Sequence, residues 1–533
     1  MANRSLFGST PIQVPNRSGF DLSHENMLTL KCGQLVPVMT DLLIPGDRVS
    51  VGSAFEIQLP PMATDFYGRV RFKMEAFFVP CRLLYGGWQK FMTSPTGNNA
   101  PSASDVSSLL PFITVPSASA SKLGRGSLAD YLGYKGTVNT NQRINNILRF
   151  MAYHKIYDDW YRDSRIQTPL FGETTPTAAG ALSVRYLPWQ FNSGSSGISY
   201  NDFGIQFADG VDLFTLRQRN WARDYFTNAT PLPQAGTGAS LSFDVADNAG
   251  SFTIASLRAA NSLQMWLERN NIAGNRYADQ IKAHFGVMPA DAVTQRAIYL
   301  GSSSSVIYNH SVYQTNNMGD VVGDGSPNPF SSVGSKYSAP IGSDKSSLVG
   351  DFSVTEFGYL MVIGSIVPDA VYATGVNRDF FRLQIGDFAF PLLQGVGDQP
   401  IFKAELANVG VDGNTMDAMA TFGYTQRFAE YKFMEDEVHG GLCDGQSLSA
   451  FALKRSFGTL PNTALGASFL EIPVTYLDDV SASASSLPST YGAWADIFFQ
   501  YRKTSVLSAY TIPTLGDPHN THIETVPTGG RRL

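Results

Sequence analysis

Two segments near the start of the chain alternate between a mainly apolar and a mainly polar face. Val49, Val51, Ser53, Phe55, Ile57 and Leu59 share one face of the first segment, and Val70, Phe72, Met74, Ala76 and Phe78 share one face of the second. A period of two is the pattern of a β-strand that packs one face on a core. Pro60, Pro61 and Pro80 follow, and proline cannot donate a hydrogen bond to a neighbouring strand. The pattern therefore predicts two strands that end at these prolines.

Further strand candidates lie in the last third of the chain. Residues 357–367 are nearly all apolar, as in a central strand that is covered on both faces. Shorter candidates are 380–385, 418–424, 426–433, 469–476 and 496–501. Antiparallel β folds must protect their unpaired edges, and a two-sheet jelly roll is a common solution. The pattern predicts a mainly β protein with one sandwich or barrel core and large insertions.

Helical periodicity lies between these two groups of strands. The apolar positions of three predicted helices are Ile144, Ile147, Leu148, Met151, Ile156 and Trp160; Leu257, Ala260, Leu263 and Leu267; and Tyr277, Ile281 and Phe285. Asn139, Thr140 and Asn141 are capping candidates for the first helix, Ser256 for the second, and Gly286 ends the third. We expect helices near 141–163, 256–269 and 276–286. The ranges 94–121, 171–251 and 301–350 are rich in small and polar residues and are predicted as long loops.

Composition adds that the chain is poor in charge. Charged residues make up 16% of the 533 residues, against an average of about 25%, while aromatic residues reach 12%. Either much of the surface is buried against other chains, as at interface cores, or the surface is neutral and polar. The formal net charge of −6 argues against a protein that coats nucleic acid with a basic face, so any nucleic-acid contact should be local.

Cysteine usage and the N-terminal sequence indicate in which compartment the protein folds. Cys32, Cys81 and Cys443 are far apart, which fits neither a zinc site nor a disulfide framework. Residues 1–15 lack a charged-then-apolar signal pattern, and no apolar run reaches the roughly 18 residues needed to span a membrane. We expect synthesis and folding in a cytoplasm without membrane insertion.

Enzyme chemistry has little support in the sequence. No phosphate-binding loop, zinc-protease, hydrolase or dinucleotide motif occurs in a fitting context. Asp158 and Asp159 are adjacent, so on a helix they point about 100° apart and do not converge as a catalytic pair. The carboxylates of Glu435, Asp436 and Glu437 could bind a structural divalent cation, although a solvated turn is the simpler interpretation. No catalytic residue and no cofactor is predicted.

Five ordered blocks carry a family resemblance. They are RSGFDLSHE at 17–25, followed by LVPV at 35–38 and IPGD at 44–47; residues 143–163; residues 223–234; residues 256–301; and residues 422–440. In this order they resemble the major capsid proteins of microviruses (Microviridae), small single-stranded DNA phages, and in particular the gokushovirus-like members. The resemblance is weakest over 94–138, 174–207 and 466–533. After the late Tyr-Lys pair the family usually has a basic residue, whereas this chain has Met434 to Glu437, which puts a DNA contact there in doubt.

The resemblance implies an eight-stranded antiparallel jelly roll with long loop and helical insertions. It implies one capsid domain over 1–533, with an N-terminal arm at 1–30, core strands mainly in 31–93 and 351–505, insertions over 94–350 and a C-terminal arm at 506–533. It implies a non-enzymatic virion protein, made and assembled in the bacterial cytoplasm, that self-assembles with T=1 icosahedral symmetry around circular single-stranded DNA. Implied partners are further copies of the chain, phage scaffolding and DNA-pilot proteins, the genome and a host surface receptor.

Candidate site residues follow from the arms and the motif blocks. Arg4, Arg17, Arg531 and Arg532 lie on open terminal segments and are candidate DNA contacts, although such arms can also fray or tie subunits together. Candidate assembly residues from the motifs are Phe20, His24, Trp160, Arg162, Tyr225, Trp266, Arg276, Tyr277, His284 and Tyr431. Residues 174–207 are a candidate surface protrusion for host contact, or a loop that packs on a neighbour. The alternative function is a carbohydrate-binding or carbohydrate-active jelly-roll protein, because this fold hosts many such activities.

Overall fold

The structure is a computed structural model. It describes residues 17–60, 62, 66–85, 88, 92, 113–115, 123–134, 142–144, 146–168, 170, 199–200, 213–233, 254–273, 276–307, 311–314, 335–338, 341–395, 397–407, 419–457, 465–480, 490 and 492–507. The strands in these ranges are β1 (Ser18–Asp21), β2 (His24–Leu30), β3 (Val36–Leu43), β4 (Arg48–Gln58), β5 (Val70–Pro80), β6 (Ile113–Val115), β7 (Gln142–Ile144), β8 (Ser199–Tyr200), β9 (Ile298–Ile307), β10 (Ser311–Gln314), β11 (Ser335–Ser338), β12 (Ile341–Ser353), β13 (Gly358–Pro368), β14 (Asp398–Phe402), β15 (Thr421–Gln426) and β16 (Ala493–Ser505).

Helices are fewer than strands in this part of the chain. The α-helices are α1 (Cys81–Leu84), α2 (Leu128–Tyr131), α3 (Leu148–Ile156), α4 (Ile254–Ala273), α5 (Tyr277–Phe285) and α6 (Ala467–Leu470), and a π-helical turn (Tyr157–Tyr161) continues α3. Short 3-10 helices are Arg378–Phe381, Ile385–Asp387, Pro391–Leu393, Lys403–Glu405, Ala429–Tyr431, Gly440–Leu442, Ser449–Phe451 and Asp478–Val480.

Two antiparallel sheets form the centre of the protein. In the first sheet, β16 lies between β4 and the consecutive strands β1 and β2, and β12 pairs with the other edge of β4. In the second sheet, the order is β3, β13, β5 and β9. Three smaller sheets join β6 with β7 and β8, β10 with β11, and β14 with β15. The fold is therefore mainly β and antiparallel, as predicted, and the layout of the two large sheets is consistent with a β-sandwich.

The main core lies between the two large sheets. The apolar face of β4, with Val51 and Ile57, is buried against the face of β5 that carries Phe72 and Met74. The rings of Phe55 and Phe72 meet edge to face with their centroids 4.8 Å apart. These contacts confirm the two predicted alternating strands, and they show why their apolar positions recur every second residue.

A helical layer covers the outer face of the second sheet. Residues of α3 form a second buried cluster with Phe77 of β5 and with Tyr359, Met361 and Ile363 of β13. As a result β13 is buried on both faces, which confirms the prediction for 357–367. The same layer explains why Phe77 and Val79, on the predicted polar face of β5, are buried as well.

Three of the shorter strand predictions are wrong. Residues 380–385 form 3-10 turns because the side chains of Asn377 and Asp387 accept backbone N–H groups that a ladder would need. Residues 426–433 turn at Phe428, whose φ of 62° is left-handed. Residues 469–476 begin inside α6, where the backbone N–H of Phe469 and of Leu470 both bond to Gly466. The predictions for 418–424 and 496–501 are confirmed in part by β15 and fully by β16.

Polar segments supply strands that the sequence analysis did not predict. The serine run Ser302 to Ser305 lies in β9 and pairs with β5, and β12 pairs along most of β4, so the predicted loop over 301–350 is wrong where the structure describes it. Both strands lie in the range expected to hold insertions. Residues 18–30, expected in an N-terminal arm, form β1 and β2. In β9 and β12, pairing with an existing strand outweighs the weak β-propensity of Ser and Gly.

Helix positions agree better than helix caps. The predicted helices correspond to α3 with its π-helical turn, α4 and α5, and Gly286 ends α5 with a left-handed φ of 70°. The prediction is wrong for residues 142–144, including Ile144, because they form β7 and pair with β6. However, α3 begins at Leu148, whose N–H bonds to Asn146 Oδ1 at 3.0 Å, and the predicted caps Asn139, Thr140 and Asn141 lie outside the described residues. Ser256 lies inside α4 and does not cap it either.

Candidate functional site

The N-terminal motif forms an edge of the first sheet. Phe20 of β1 lies opposite Lys503 of β16, and His24 of β2 lies opposite Phe499, with the two rings 5.5 Å apart. Between β1 and β2, the Leu22 N–H donates to the Tyr501 carbonyl at 2.8 Å. Phe20 and His24 therefore have an intramolecular role, in which the motif pairs along a central strand and covers its edge.

The Ile44-Pro45-Gly46-Asp47 motif is the turn between the two large sheets. Gly46 has a φ of 93°, and a Cβ there would lie 3.0 Å from Val506 Cγ1, so glycine fits best. The fully buried Asp47 carboxylate accepts the Ile44 N–H at 3.1 Å and pairs with Lys503 Nζ at 3.3 Å. This turn fixes β3 of one sheet relative to β4 of the other.

A second cluster brings two neighbouring motif residues, Trp160 and Arg162, together with the distant motif residue Arg276. Trp160 Nε1 donates to the Ala297 carbonyl at 2.8 Å, and the guanidinium carbon of Arg296 lies 4.3 Å from the Trp160 ring centroid. Arg162 pairs with Asp158 at 2.6 Å, and Arg276 donates to the carbonyls of both Asp158 and Arg162. Trp160, Arg162 and Arg276 thus connect α3 to the start of α5 and to β9.

The adjacent carboxylates of this cluster serve different partners. Asp158 binds Arg162, whereas Asp159 binds Lys155 at 2.9 Å and accepts the Ala297 N–H at 2.9 Å. Burial raises the pKa of Asp159, and attraction to Lys155 opposes that shift. The two carboxylates therefore bind separate partners.

A buried ionic network joins the second sheet to the segment that covers it. Glu75 of β5 pairs with Arg219 at 2.7 Å and with Lys73 at 2.7 Å, and Tyr161 Oη donates to it at 2.6 Å. Burial tends to raise the pKa of Glu75, but attraction and hydrogen bonds from Arg219 and Lys73 prevail and lower it to about 2. The carboxylate is therefore charged in the folded protein, and it fixes Arg219 and Tyr161. No motif in the sequence signals this network.

Tyr225 is buried in a polar cluster beneath an exposed segment. Its Oη donates to Glu405 Oε2 at 3.1 Å, and its N–H donates to Glu435 Oε1 at 2.8 Å. Burial and the nearby Glu405 carboxylate raise the pKa of Tyr225, so its hydroxyl stays protonated. Burial and repulsion from Asp224 raise the pKa of Glu435 to about 7. Tyr225 is a packing residue, and it also supports the segment that carries Glu435.

Two exposed apolar surfaces stand out among the described residues. The first, here called the helical hairpin, consists of α4, α5 and residues 286–293. Trp266 stacks on His284 at 5.9 Å, and His284 Nε2 lies 2.6 Å from Asn270 Oδ1, so the two helices are fixed to each other. Its exposed apolar side chains are Leu263, Met265, Trp266, Tyr277, Phe285, Val287, Met288 and Val293.

The second surface, here called the apolar loop, consists of residues 379–392 and 431–434. Its exposed side chains are Phe380, Leu383, Ile385, Phe388, Phe390, Leu392, Tyr431, Phe433 and Met434. Arg382 lies inside the loop, with its guanidinium carbon 4.6 Å from the Tyr431 ring centroid and 5.5 Å from that of Phe388. Sequence reasoning missed this surface, because it interpreted 380–385 and 426–433 as strands. The available signal was a dense run of Phe, Leu and Ile that matches neither period.

The remaining site predictions fall on surface or undescribed positions. Arg17 is exposed at the start of β1, whereas Arg4, Arg531 and Arg532 lie outside the described residues, as does nearly all of 174–207. Glu437 pairs with His439 at 3.2 Å, apart from Glu435, and no group of three or more His, Cys, Asp or Glu in the described ranges is placed to bind a metal ion. None of the described helices is both long and apolar enough to cross a membrane.

Comparisons with known proteins point in one direction. A family model described as Capsid protein (F protein) matches residues 10–246 and 239–515. A protein named Capsid protein VP1 from Chlamydia phage 1 is 25% identical, over 97% of this chain and 98% of the relative. Proteins of the same name from Bdellovibrio phage phiMH2K and Spiroplasma virus 4 are 26% and 24% identical, over 96% and 94% of this chain and 98% and 95% of those relatives.

Proposed function

The chain belongs to the family of phage capsid proteins described as Capsid protein (F protein), and from that premise we propose how it builds its shell. Its function is structural and non-enzymatic: it self-assembles into a capsid and is part of the virion. The single observation that carries this conclusion is the family match over nearly the whole chain. The carbohydrate-related alternative has no support from it.

We propose an eight-stranded jelly roll as the core of each subunit. In support, the two large antiparallel sheets have four strand positions each, if β1 and β2 count as one position along β16. The T=1 icosahedral shell is likewise a proposal, which rests on the resemblance to microviruses. Closed symmetry limits growth to a particle of fixed size, and many weak contacts can act together to stabilise it.

We propose circular single-stranded DNA as the cargo and the terminal arginines as its contacts. The chain carries a net charge of −6, so the contacts should be few and local. Deleting Arg531 and Arg532 is expected to lower the DNA content of purified particles and to leave empty shells intact, as measured by absorbance ratio and by quantifying extracted DNA. Lysine at both positions is the matched control, since it retains the charge. Unchanged DNA content in the deletion variant would remove these residues from the proposal.

The other partners are also proposals. Scaffolding and DNA-pilot proteins would act during assembly in the bacterial cytoplasm, and we propose that this role uses no cofactor. Residues 174–207 would project from the shell and contact a host surface receptor, because they form a long stretch unlike the family. Exchanging 174–207 for a Gly-Ser linker should abolish adsorption to host cells and preserve particles. Normal adsorption would assign this segment to another role.

The experiment that tests the proposed function is negative-stain electron microscopy of the purified protein, expressed alone and together with the other phage genes. Uniform small icosahedral shells in either condition are expected. Monomers or small oligomers in both conditions would contradict self-assembly, and glycan-binding assays would then test the alternative.

A further inference from the structure

The helical hairpin exposes the apolar stripe that its sequence pattern predicts to be buried. Tyr277 and Phe285, which share a face of α5 with Ile281, are 74% and 78% exposed, and Trp266 of α4 is 50% exposed. An amphipathic helix gains its stability by covering such a stripe. Arg276 fixes the start of α5 to the carbonyls of Asp158 and Arg162, so the hairpin is held in place while its apolar face is uncovered.

The apolar loop is held by its own hydrogen bonds, while its apolar side chains are exposed to solvent. Asp387 accepts the N–H groups of Leu383 and Gln384 at 2.9 and 2.8 Å, and Arg427 donates to the Gly386 carbonyl at 2.9 Å. Leu392 and Met434, by contrast, are 91% and 98% exposed. These bonds hold the loop in one conformation, and such a fixed apolar surface is typical of a protein–protein contact.

The two surfaces carry exposed charges of opposite sign. The exposed charged side chains of the helical hairpin are Arg258, Arg269 and Lys282, while its acidic side chains are partly covered. Around the apolar loop, Asp379, Asp387, Asp436 and Glu437 are exposed, and the exposed basic residues are Lys432 and His439. Asp379 pairs with the mostly covered Arg382 at 2.9 Å, and Glu437 pairs with His439 at 3.2 Å. Each surface thus has an apolar centre, with a basic rim on the hairpin and an acidic rim on the loop. Complementary rims direct association and fix its register.

We propose that the helical hairpin of one subunit docks on the apolar loop of a second copy of this chain. The inference rests on the proposed function, and it adds which two surfaces meet. Contact between two hairpins would oppose like charges, whereas contact between hairpin and loop pairs opposite charges. A contact between different surfaces is heterologous, and where its rotation closes it forms a ring around a symmetry axis, which an isologous dimer contact does not do.

Reciprocal charge reversal tests the pairing. The hairpin variant R269E/K282E and the loop variant D379K/D436K should each assemble about tenfold more slowly than wild type at low salt, measured by light scattering. The combined variant, with all four changes, should recover most of the wild-type rate, because the opposite charges face each other again. Arg502→Glu, a change to an exposed arginine on the first sheet, is the matched control and should assemble at the wild-type rate.

A second variant tests the apolar contact itself. Phe285→Ser combined with Leu392→Ser should abolish shells and leave a folded subunit, with an unchanged far-ultraviolet circular dichroism spectrum and melting temperature. Normal shells from this variant would overturn the pairing. A four-residue charge variant that assembles no faster than its two parent variants, while the wild type assembles, would overturn it as well. Failure of wild type to assemble under any condition would instead contradict the proposed function, so the two failures are distinguishable.

Discussion

Replacing Glu75 with glutamine is expected to destabilise the unassembled subunit by about 3–5 kcal/mol, the usual cost of removing one partner of a buried ion pair. The change leaves the Arg219 guanidinium, 2.7 Å from the carboxylate in the wild type, buried without its countercharge. It also replaces one of the two oxygens that accept from Tyr161, Arg219 and Lys73 with an NH2 donor, so these three donors are left to share one acceptor. Because Glu75 lies on β5 and Arg219 lies in the segment that covers the second sheet, the change should weaken the packing of that segment on the sheet.

The pKa of Glu75 sets the size and the pH dependence of the effect. Although burial opposes it, attraction to Arg219 holds the pKa at about 2, below the ordinary value of 4.5. That difference corresponds to roughly 3 kcal/mol in favour of the folded state. Since the folded pKa is depressed, this stabilisation is fully present above about pH 4.5 and is lost as the pH falls towards 2. The glutamine variant should lack this part of the acid dependence.

Urea unfolding followed by tryptophan fluorescence, at about pH 7, 4.5 and 3, measures both the loss of stability and its pH dependence. Glu356→Gln is the matched control, because Glu356 pairs with Arg82 at 2.8 Å while both side chains are about a third exposed. Its expected cost is about 0–1 kcal/mol. Equal losses in the two variants, or the same acid dependence in wild type and E75Q, would refute the reasoning.

Three further predictions use other parts of the fold. Burial and Asp224 raise the pKa of Glu435 to about 7, so the wild type should lose stability as the pH rises from about 4.5 through 7. Glu435→Gln should remove about 1–2 kcal/mol of that loss, after allowance for the partial exposure of Glu435. Equal changes in melting temperature between pH 5 and 8 in the wild type and the variant would contradict this. Gly46→Ala should cost about 1–2 kcal/mol in thermal unfolding, because φ is 93° and Val506 is close, whereas Gly350→Ala should cost far less because its Cβ meets nothing within 4 Å. Arg276→Lys should cost about 1 kcal/mol of stability and speed proteolysis of the helical hairpin, because an ammonium group cannot reproduce both hydrogen bonds of the guanidinium group. A cleavage rate equal to that of an Arg269→Lys control would argue against this role of Arg276.

The strands with strict apolar alternation were predictable from sequence, and the polar ones were not. In β4 and β16 the period of two reflects burial of one face, and in β13 the continuous apolar run reflects burial of both. The serines of β9 carry no such pattern, because that strand is held by pairing with β5, which is distant in sequence. Single-sequence patterns report the environment of side chains, whereas this strand depends on backbone partners.

The candidate site shows the same limit. The family motifs singled out Trp160, Arg162 and Arg276, but only the fold shows that they meet, since more than a hundred positions separate Arg162 from Arg276. The Glu75 network has no sequence signature, because charged residues also occur on solvated faces. The stripe of Tyr277, Ile281 and Phe285 is one helix face, as predicted, yet the sequence could not show that Tyr277 and Phe285 stay exposed in the described part of the subunit.

The central claim is that this chain closes into a shell of defined size, and the mass of the assembled particle tests it most directly. A T=1 shell holds about 60 copies of the 57.9 kDa chain, so charge-detection mass spectrometry of purified empty particles should give one narrow peak near roughly 3.5 MDa. A ladder of small oligomers, or open filaments without a fixed mass, would contradict the account.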